Sequence, residues 1–208
     1  MSRSKSSARW MQEHKDDEYV RLAQAQGYRS RAVFKIKEIQ EKDKFIKPGM
    51  NVIDLGAAPG GWSQWVRPIL GKKSKLIALD ILPMEPIDGV EFIQGDFRED
   101  SVWQMLNSIV ESGVIDLVLS DMAPNMSGNK AVDQPNSMYL AELSLDTAKA
   151  SLEKGGAFLV KVFQGEGFDD FHREVQKHFE KVTIRKPKAS RPRSNEVYIL
   201  GTGFKSIG

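Results

Sequence analysis

Lys161 stands inside the apolar run Ala157-Phe158-Leu159-Val160-Lys161-Val162-Phe163, a pattern expected of a central parallel strand buried on both faces. Lysine is rarely buried without a partner or a task. In the carboxyl half of such a strand its amine reaches the crevice where open α/β sheets bind ligands. A buried amine that sheds its charge can accept a proton; an ion pair with a nearby acid is the purely structural alternative. Asp121 ends a second apolar run, Leu117-Val118-Leu119-Ser120, and precedes the irregular segment Met122-Ala123-Pro124-Asn125. It falls at the same edge, where it can orient the Lys161 amine, face a cationic ligand or cap the next turn. Glu196 opens the last strand-like segment. If that strand runs antiparallel to the others, Glu196 approaches Lys161 and Asp121 despite the sequence distance; otherwise it is an exposed strand-end acid.

Positioning these groups requires a sheet, and its first strand and loop are plain in Val52-Ile53-Asp54-Leu55-Gly56-Ala57-Ala58-Pro59-Gly60-Gly61-Trp62. A short apolar strand breaks into small residues and then turns amphipathic through Leu70, so the stretch predicts strand, tight loop and helix. Glycines there let the backbone approach a ligand with no Cβ in the way. Gly56-x-Ala58-x-x-Gly61 is one substitution from the dinucleotide fingerprint, and Asp80 ends the next strand, Leu76-Ile77-Ala78-Leu79, about where a ribose-binding acid belongs. A nicotinamide oxidoreductase therefore competes, although Pro59 in the loop and the polar Asp121–Ser127 segment speak against it.

Strand and helix signals alternate along the chain. Asp16 or Asp17 is expected to cap a short helix through about Gln26. Ser30 is expected to cap a second helix to about Lys44 with Ala32, Ile36 and Ile39 on one face. Lys35 shares or borders that face; the alternative is a stem that packs while the amine reaches water. Strands are expected at Leu76–Asp80, Val90–Gly95, Ile115–Ser120 and Ala157–Phe163. Helices are expected over Asp100 to about Ser112, Asn136 or Ser137 to about Lys154, and Phe168–Phe179. Two last strands, Lys181–Lys186 and Glu196–Gly201, follow each other without a helix and can pair as a hairpin. The fold class predicted is α/β, a mostly parallel doubly wound sheet with a closing antiparallel pair.

Composition narrows the classes of function. With 208 residues and 40% hydrophobic residues, the chain suits one domain with a substantial core. Met1 to Ala8 is expected to be a flexible basic tail, and residues 9–208 a single domain that includes the N-terminal helices over about 16–44. No apolar run is long enough to span a membrane and no signal peptide is visible, so no membrane partner and a cytoplasmic location are expected. There is no cysteine, and His14, His172 and His178 are scattered, so no metal site is expected. The net charge of +2 conceals an uneven distribution. Residues 1–50 carry 12 basic against 7 acidic groups, residues 51–180 carry 11 against 20, and residues 181–195 carry six basic groups with no acid. The basic flanks, above all Arg185, Lys186, Lys188, Arg191 and Arg193 in a Pro-containing loop, suit phosphate contact with nucleic acid; a solvated surface is the alternative.

The string Asp54-Leu-Gly-Ala-Ala-Pro-Gly-Gly-Trp-Ser63 resembles motif I of S-adenosylmethionine-dependent methyltransferases, specifically the FtsJ/RrmJ family of RNA 2′-O-methyltransferases. Further blocks are similar to that family in the same order: Arg29-Ser30-Arg31-Ala32-x-Phe34-Lys35, Gly95-Asp96-Phe97, Ser120-Asp121-Met122-Ala123-Pro124-Asn125-Met126-Ser127-Gly128, Val160-Lys161-Val162-Phe163-Gln164-Gly165 and Arg191-x-Arg193-Ser194-x-Glu196-Val197-Tyr198. The similarity runs from about Arg9 to Thr202 and is greatest to members that act on bacterial large-subunit rRNA.

The resemblance implies a Rossmann-like fold and transfer of a methyl group from S-adenosylmethionine to a ribose 2′-hydroxyl. It implies a Lys-Asp-Lys-Glu constellation of Lys35, Asp121, Lys161 and Glu196 around the target ribose, with Lys161 as proton acceptor. Gly60, Trp62, Asp80, Asp96 and Asp121 would hold the cofactor, although Trp62 could equally be core. Arg29 and Arg31 join the basic loop as RNA contacts. A uridine in the A loop of 23S rRNA, within the large ribosomal subunit, is the implied substrate. A tRNA methyltransferase and a non-catalytic ribosome-assembly protein are the alternatives.

Overall fold

The computed structural model describes residues 17–110 and 114–205. The expected tail at Met1–Ala8, His14 and the end of the helix near Ser112 lie outside the described residues. Among those described, seven strands form one sheet: β1 (Val52–Leu55), β2 (Leu76–Asp80), β3 (Glu91–Gln94), β4 (Ile115–Ser120), β5 (Leu152–Phe163), β6 (Phe179–Arg185) and β7 (Glu196–Phe204). Their order across the sheet is β3-β2-β1-β4-β5-β7-β6. β1 to β5 are parallel, and β7 runs antiparallel to both β5 and β6. The expected doubly wound sheet with its closing antiparallel pair is the architecture found.

Six helices complete the described structure: α1 (Glu18–Ala25), α2 (Val33–Asp43), α3 (Gly61–Leu70), α4 (Asp100–Val110), α5 (Lys130–Ser151) and α6 (Phe168–His178). Because side chains alternate across a strand, the sheet feeds two cores. Ile53, Leu55, Val118, Val160 and Val162 pack with Val102 and Leu106 of α4, Met138 and Leu145 of α5 and Phe171 of α6. Val52, Leu117, Leu119, Leu159, Tyr198 and Leu200 pack on the other face with Ile36 and Ile39 of α2 and Trp62 and Val66 of α3. Lys161 and Glu196 are on the same side of their strands as Leu159 and Tyr198, and so face α2. None of the described helices is long and apolar enough to cross a membrane.

Three boundaries differ from expectation for local reasons. Ala32, not Ser30, occupies the N-cap of α2 and makes no side-chain cap. The Ser30 hydroxyl instead occupies the space that a Cβ at Gly61 would need, which fixes how closely α2 approaches the β1–α3 loop. α5 begins at Lys130, six residues before Asn136, despite Pro135 in its second turn. Asn129 accepts a hydrogen bond from the Ala131 amide at 3.1 Å, and the Asp133 carboxylate gathers the Ser127 and Gly128 amides at 2.8 and 2.9 Å. These satisfy donors at the helix start that would otherwise be orphaned. Finally, α5 ends at Ser151 and β5 runs through Gly155 and Gly156, with a register shift against β4 between Ile115 and Leu117. The glycine pair marks a strand irregularity, not a helix stop.

Candidate active site

The carboxyl ends of β1, β2, β4 and β5 and the amino end of β7 meet at one edge of the sheet, with order reversing between β1 and β4, the position where such sheets bind ligands. Antiparallel register does the decisive work, since Lys161 pairs with Tyr198 and Phe163 with Glu196. Lys161 is buried, 8% exposed. Its Nζ lies 3.0 Å from Asp121 Oδ1 and donates as well to the Asp121 carbonyl. Glu196, equally buried, holds Lys35 Nζ through both carboxylate oxygens at 2.8 and 2.9 Å. The four residues Lys35, Asp121, Lys161 and Glu196 are therefore brought together as two buried ion pairs on adjacent strands.

Two further residues fasten these pairs. Tyr198 Oη donates to Asp121 Oδ1 at 2.6 Å, and Ser190 Oγ donates to Glu196 Oε1 at 2.7 Å. Burial, with the Asp121 and Glu196 charges beside it, raises the Tyr198 phenol well above its ordinary range, so it remains a donor. Burial pushes the Asp121 carboxyl up, but Lys161, Lys35 and the Tyr198 hydroxyl together outweigh it and hold the group below the usual carboxylate range. Asp121 is thus anionic beside a lysine. Tyr198 was legible as a strand residue two places from Glu196 and so on the same face; nothing in the sequence singles out Ser190.

The loop after β1 supplies the second half of the site. Gly56 and Gly60 both take positive φ, at 71° and 102°, and a Cβ at Gly56 would collide with Met122. Gly60 is the N-cap of α3, so the helix presents its unpaired first amides to this edge. Asp80 accepts the Ala58 amide at 2.8 Å and the Leu82 amide at 2.9 Å, which makes it a brace of the loop. Asp54, beneath the loop, accepts the Ser63 hydroxyl at 2.6 Å, while its Oδ1 is buried with no partner. Burial, reinforced by the Asp121 and Asp80 charges and opposed by Ser63, pushes its carboxyl up to about 7.

Trp62 corrects an expectation. Its ring is 2% exposed, packs 5.8 Å from the Tyr198 ring and donates Nε1–H to the Ala32 carbonyl at 2.8 Å, so the side chain is core and only its backbone amide belongs to the loop edge. Asp96 lies in the turn after β3, where Arg98 Nε meets its two oxygens at 2.9 and 3.1 Å. Those hydrogen bonds lower its carboxyl to about 2.

The seven cations expected on RNA divide into two groups. Arg29 donates to the Pro59, Glu85 and Pro86 carbonyls, and Arg185 makes a paired contact with Asp43 at 2.8 and 2.6 Å. Lys186 donates to the Ser194 and Glu196 carbonyls. In this structure these three brace loops, which corrects the picture of one basic surface open to RNA. Lys188 has an exposed side chain while its amide is held by Glu38 at 2.7 Å. Arg31, Arg191 and Arg193 line a cavity of about 480 Å³ whose floor is Lys35 and Glu196. Among the described residues no group of His, Asp or Glu is placed to hold a metal ion.

Residues 28–204 match the family described as FtsJ-like methyltransferase. The chain belongs to that family. This FtsJ-like methyltransferase is also similar to the crystal structure of a candidate ribosomal RNA methyltransferase from Plasmodium falciparum. That protein is 32% identical over 85% of this chain and 98% of its own, with a TM-score of 0.74. Methyltransferases of this family generally use S-adenosylmethionine. The loop edge of the FtsJ-like site suits that molecule chemically: carboxylates at the ends of β1, β2 and β4 face a ligand bearing an ammonium and a sulfonium, and the α3 N-terminus faces its carboxylate.

Proposed function

We propose that the protein methylates a ribose 2′-hydroxyl of RNA, specifically a uridine in the A loop of 23S rRNA within the large ribosomal subunit. The observation that carries this reading is the buried Lys161 amine, held by Asp121 and set beside the Lys35–Glu196 pair at the floor of a cavity whose mouth is cationic. The resemblance of the sequence blocks and the rRNA assignment of the Plasmodium falciparum relative support it.

A hydroxyl is a weak nucleophile until its proton begins to leave, so the protein's contributions are a positioned base and in-line geometry. S-adenosylmethionine, when bound, supplies a methyl group on a positively charged sulfur. In its neutral form Lys161 takes the ribose proton as the oxygen–carbon bond forms and the carbon–sulfur bond breaks. Asp121 fixes the amine's position and favours the ammonium that results. Lys35 and Glu196 bind and orient the ribose. Asp80 and Gly60 shape the cofactor side, and the arginines of the mouth hold phosphates.

Incubation with labelled S-adenosylmethionine and large ribosomal subunits from a strain lacking this modification, followed by mapping of the label, tests the reading. Label on a 2′-oxygen of one 23S uridine is expected. Label on a base, or on tRNA in preference to subunits, would overturn it.

A further inference from the structure

The cavity above Lys35 and Glu196 is polarised from end to end. Phe163 and Met126 form its apolar wall, with Met126 58% exposed, and Arg31 and Arg191 stand at its cationic end. Phe163 is two residues beyond Lys161 on β5, so the two side chains leave the same face of the sheet, the phenyl nearer the edge. Its backbone is rigid: the Phe163 carbonyl accepts Gln134 Nε2 at 3.1 Å, and the Gln164 amide extends the ladder to the Asn195 carbonyl at 3.0 Å. A half-buried aromatic ring is thereby presented on a fixed strand. At the other end an anion is already seated. The Asp17 carboxylate pairs with Arg31 and lies 4.0 Å from Arg191 Nε.

We infer that this cavity takes one unstacked nucleotide of the RNA, with its base against Phe163 and Met126 and its phosphate on Arg31 and Arg191 in place of the Asp17 carboxylate. The inference rests on the RNA reading above and deepens it. A ribose lies between its base and its phosphate, so this orientation places the sugar over the middle of the cavity, where Lys35 and Glu196 form the floor and Lys161 stands behind them. A volume of about 480 Å³ is within the ordinary range of ligand pockets. A phenyl face and a polarisable sulfur suit the flat face of any base. A base inside a duplex cannot reach such a wall, so a single-stranded or extruded nucleotide is the substrate class.

Ribosomal RNA transcribed with 5-iodouridine in place of uridine, bound to the protein and irradiated, is expected to crosslink to peptides carrying Phe163 or Met126. Phe163→Ala is expected to raise the KM for ribosomal RNA about tenfold, Phe163→Tyr to leave it near the wild-type value, and both to bind S-adenosylmethionine normally. If the RNA is bound and methylated but crosslinks fall only on other peptides, or Phe163→Ala keeps the wild-type KM, the nucleotide pocket is wrong and the RNA reading survives. If ribosomal RNA is neither bound nor methylated, both fall together.

Discussion

Tyr198 and Lys161 share one oxygen: Tyr198 Oη donates to Asp121 Oδ1 at 2.6 Å, and Lys161 Nζ lies 3.0 Å from the same atom. The pairing register puts the two side chains directly opposite on β7 and β5, so Asp121 is held from two strands at once. Tyr198→Phe keeps the ring against Trp62 and removes only the donor. It should cost about 1.5–3 kcal/mol of stability, the usual worth of a hydrogen bond to a charged group, read from the denaturant midpoint. Methyl transfer should fall less than in any Lys161 variant, because the lysine still meets Asp121; a loss as large as theirs would reassign Tyr198 to the chemistry.

Lys161→Ala should abolish most methyl transfer while S-adenosylmethionine and RNA still bind, since a general base contributes about 100- to 10,000-fold to rate and little to ground-state affinity. Lys161→Arg should be almost as poor. Arginine keeps the charge beside Asp121 but cannot accept a proton, so near-normal turnover in that variant would leave Lys161 with a charge-stabilising role only.

Asp80→Ala removes the acceptor of the Ala58 and Leu82 amides as well as the proposed partner of the cofactor ribose. Calorimetric titration should show S-adenosylmethionine affinity lowered by a factor of about ten or more, given ~1.5–3 kcal/mol for a charge-assisted bond. Unchanged affinity would reject the cofactor assignment.

The buried Asp54 carboxyl predicts a pH signature. Its folded-state value of about 7 exceeds the ordinary ~3.9 of an unfolded chain, so between those values the native state binds more protons than the unfolded state. Asp54 therefore favours folding in full below pH ~4 and progressively less as pH rises toward 7. Wild type minus Asp54→Asn, measured by denaturant unfolding from pH 4 to 8, should show stability declining across that window by on the order of a few kcal/mol. A flat difference would mean that the carboxyl titrates normally.

Arg191 and Arg193 flank the cavity mouth. Replacing both by Ala should weaken RNA binding and flatten its dependence on salt, because fewer counterions are released, with S-adenosylmethionine affinity nearly unchanged. An unaltered slope of log affinity against log salt would place the phosphate contacts elsewhere.

The order of strands and helices, the glycine loop after β1 and the oddity of Lys161 were legible because each is a local pattern: apolar period, breaker residues, one charge in a run that should have none. Asp121 and Glu196 were legible as strand ends. Helix starts were less so, because α5 begins where Asn129 and Asp133 satisfy amides across a loop, a cap spread over seven residues. The site itself was decided by tertiary structure. Only the antiparallel register of β7 against β5 brings Glu196 and Tyr198, 35 and 37 residues beyond Lys161, to the same edge, and only the packing of α2 on that face delivers Lys35 to Glu196. The same packing draws Trp62 into the core and turns Arg29, Arg185 and Lys186 inward to backbone carbonyls and Asp43. Residue type and order announce which charges a chain carries; which of them are spent on the fold and which remain for a ligand depends on who their neighbours become when the layers close.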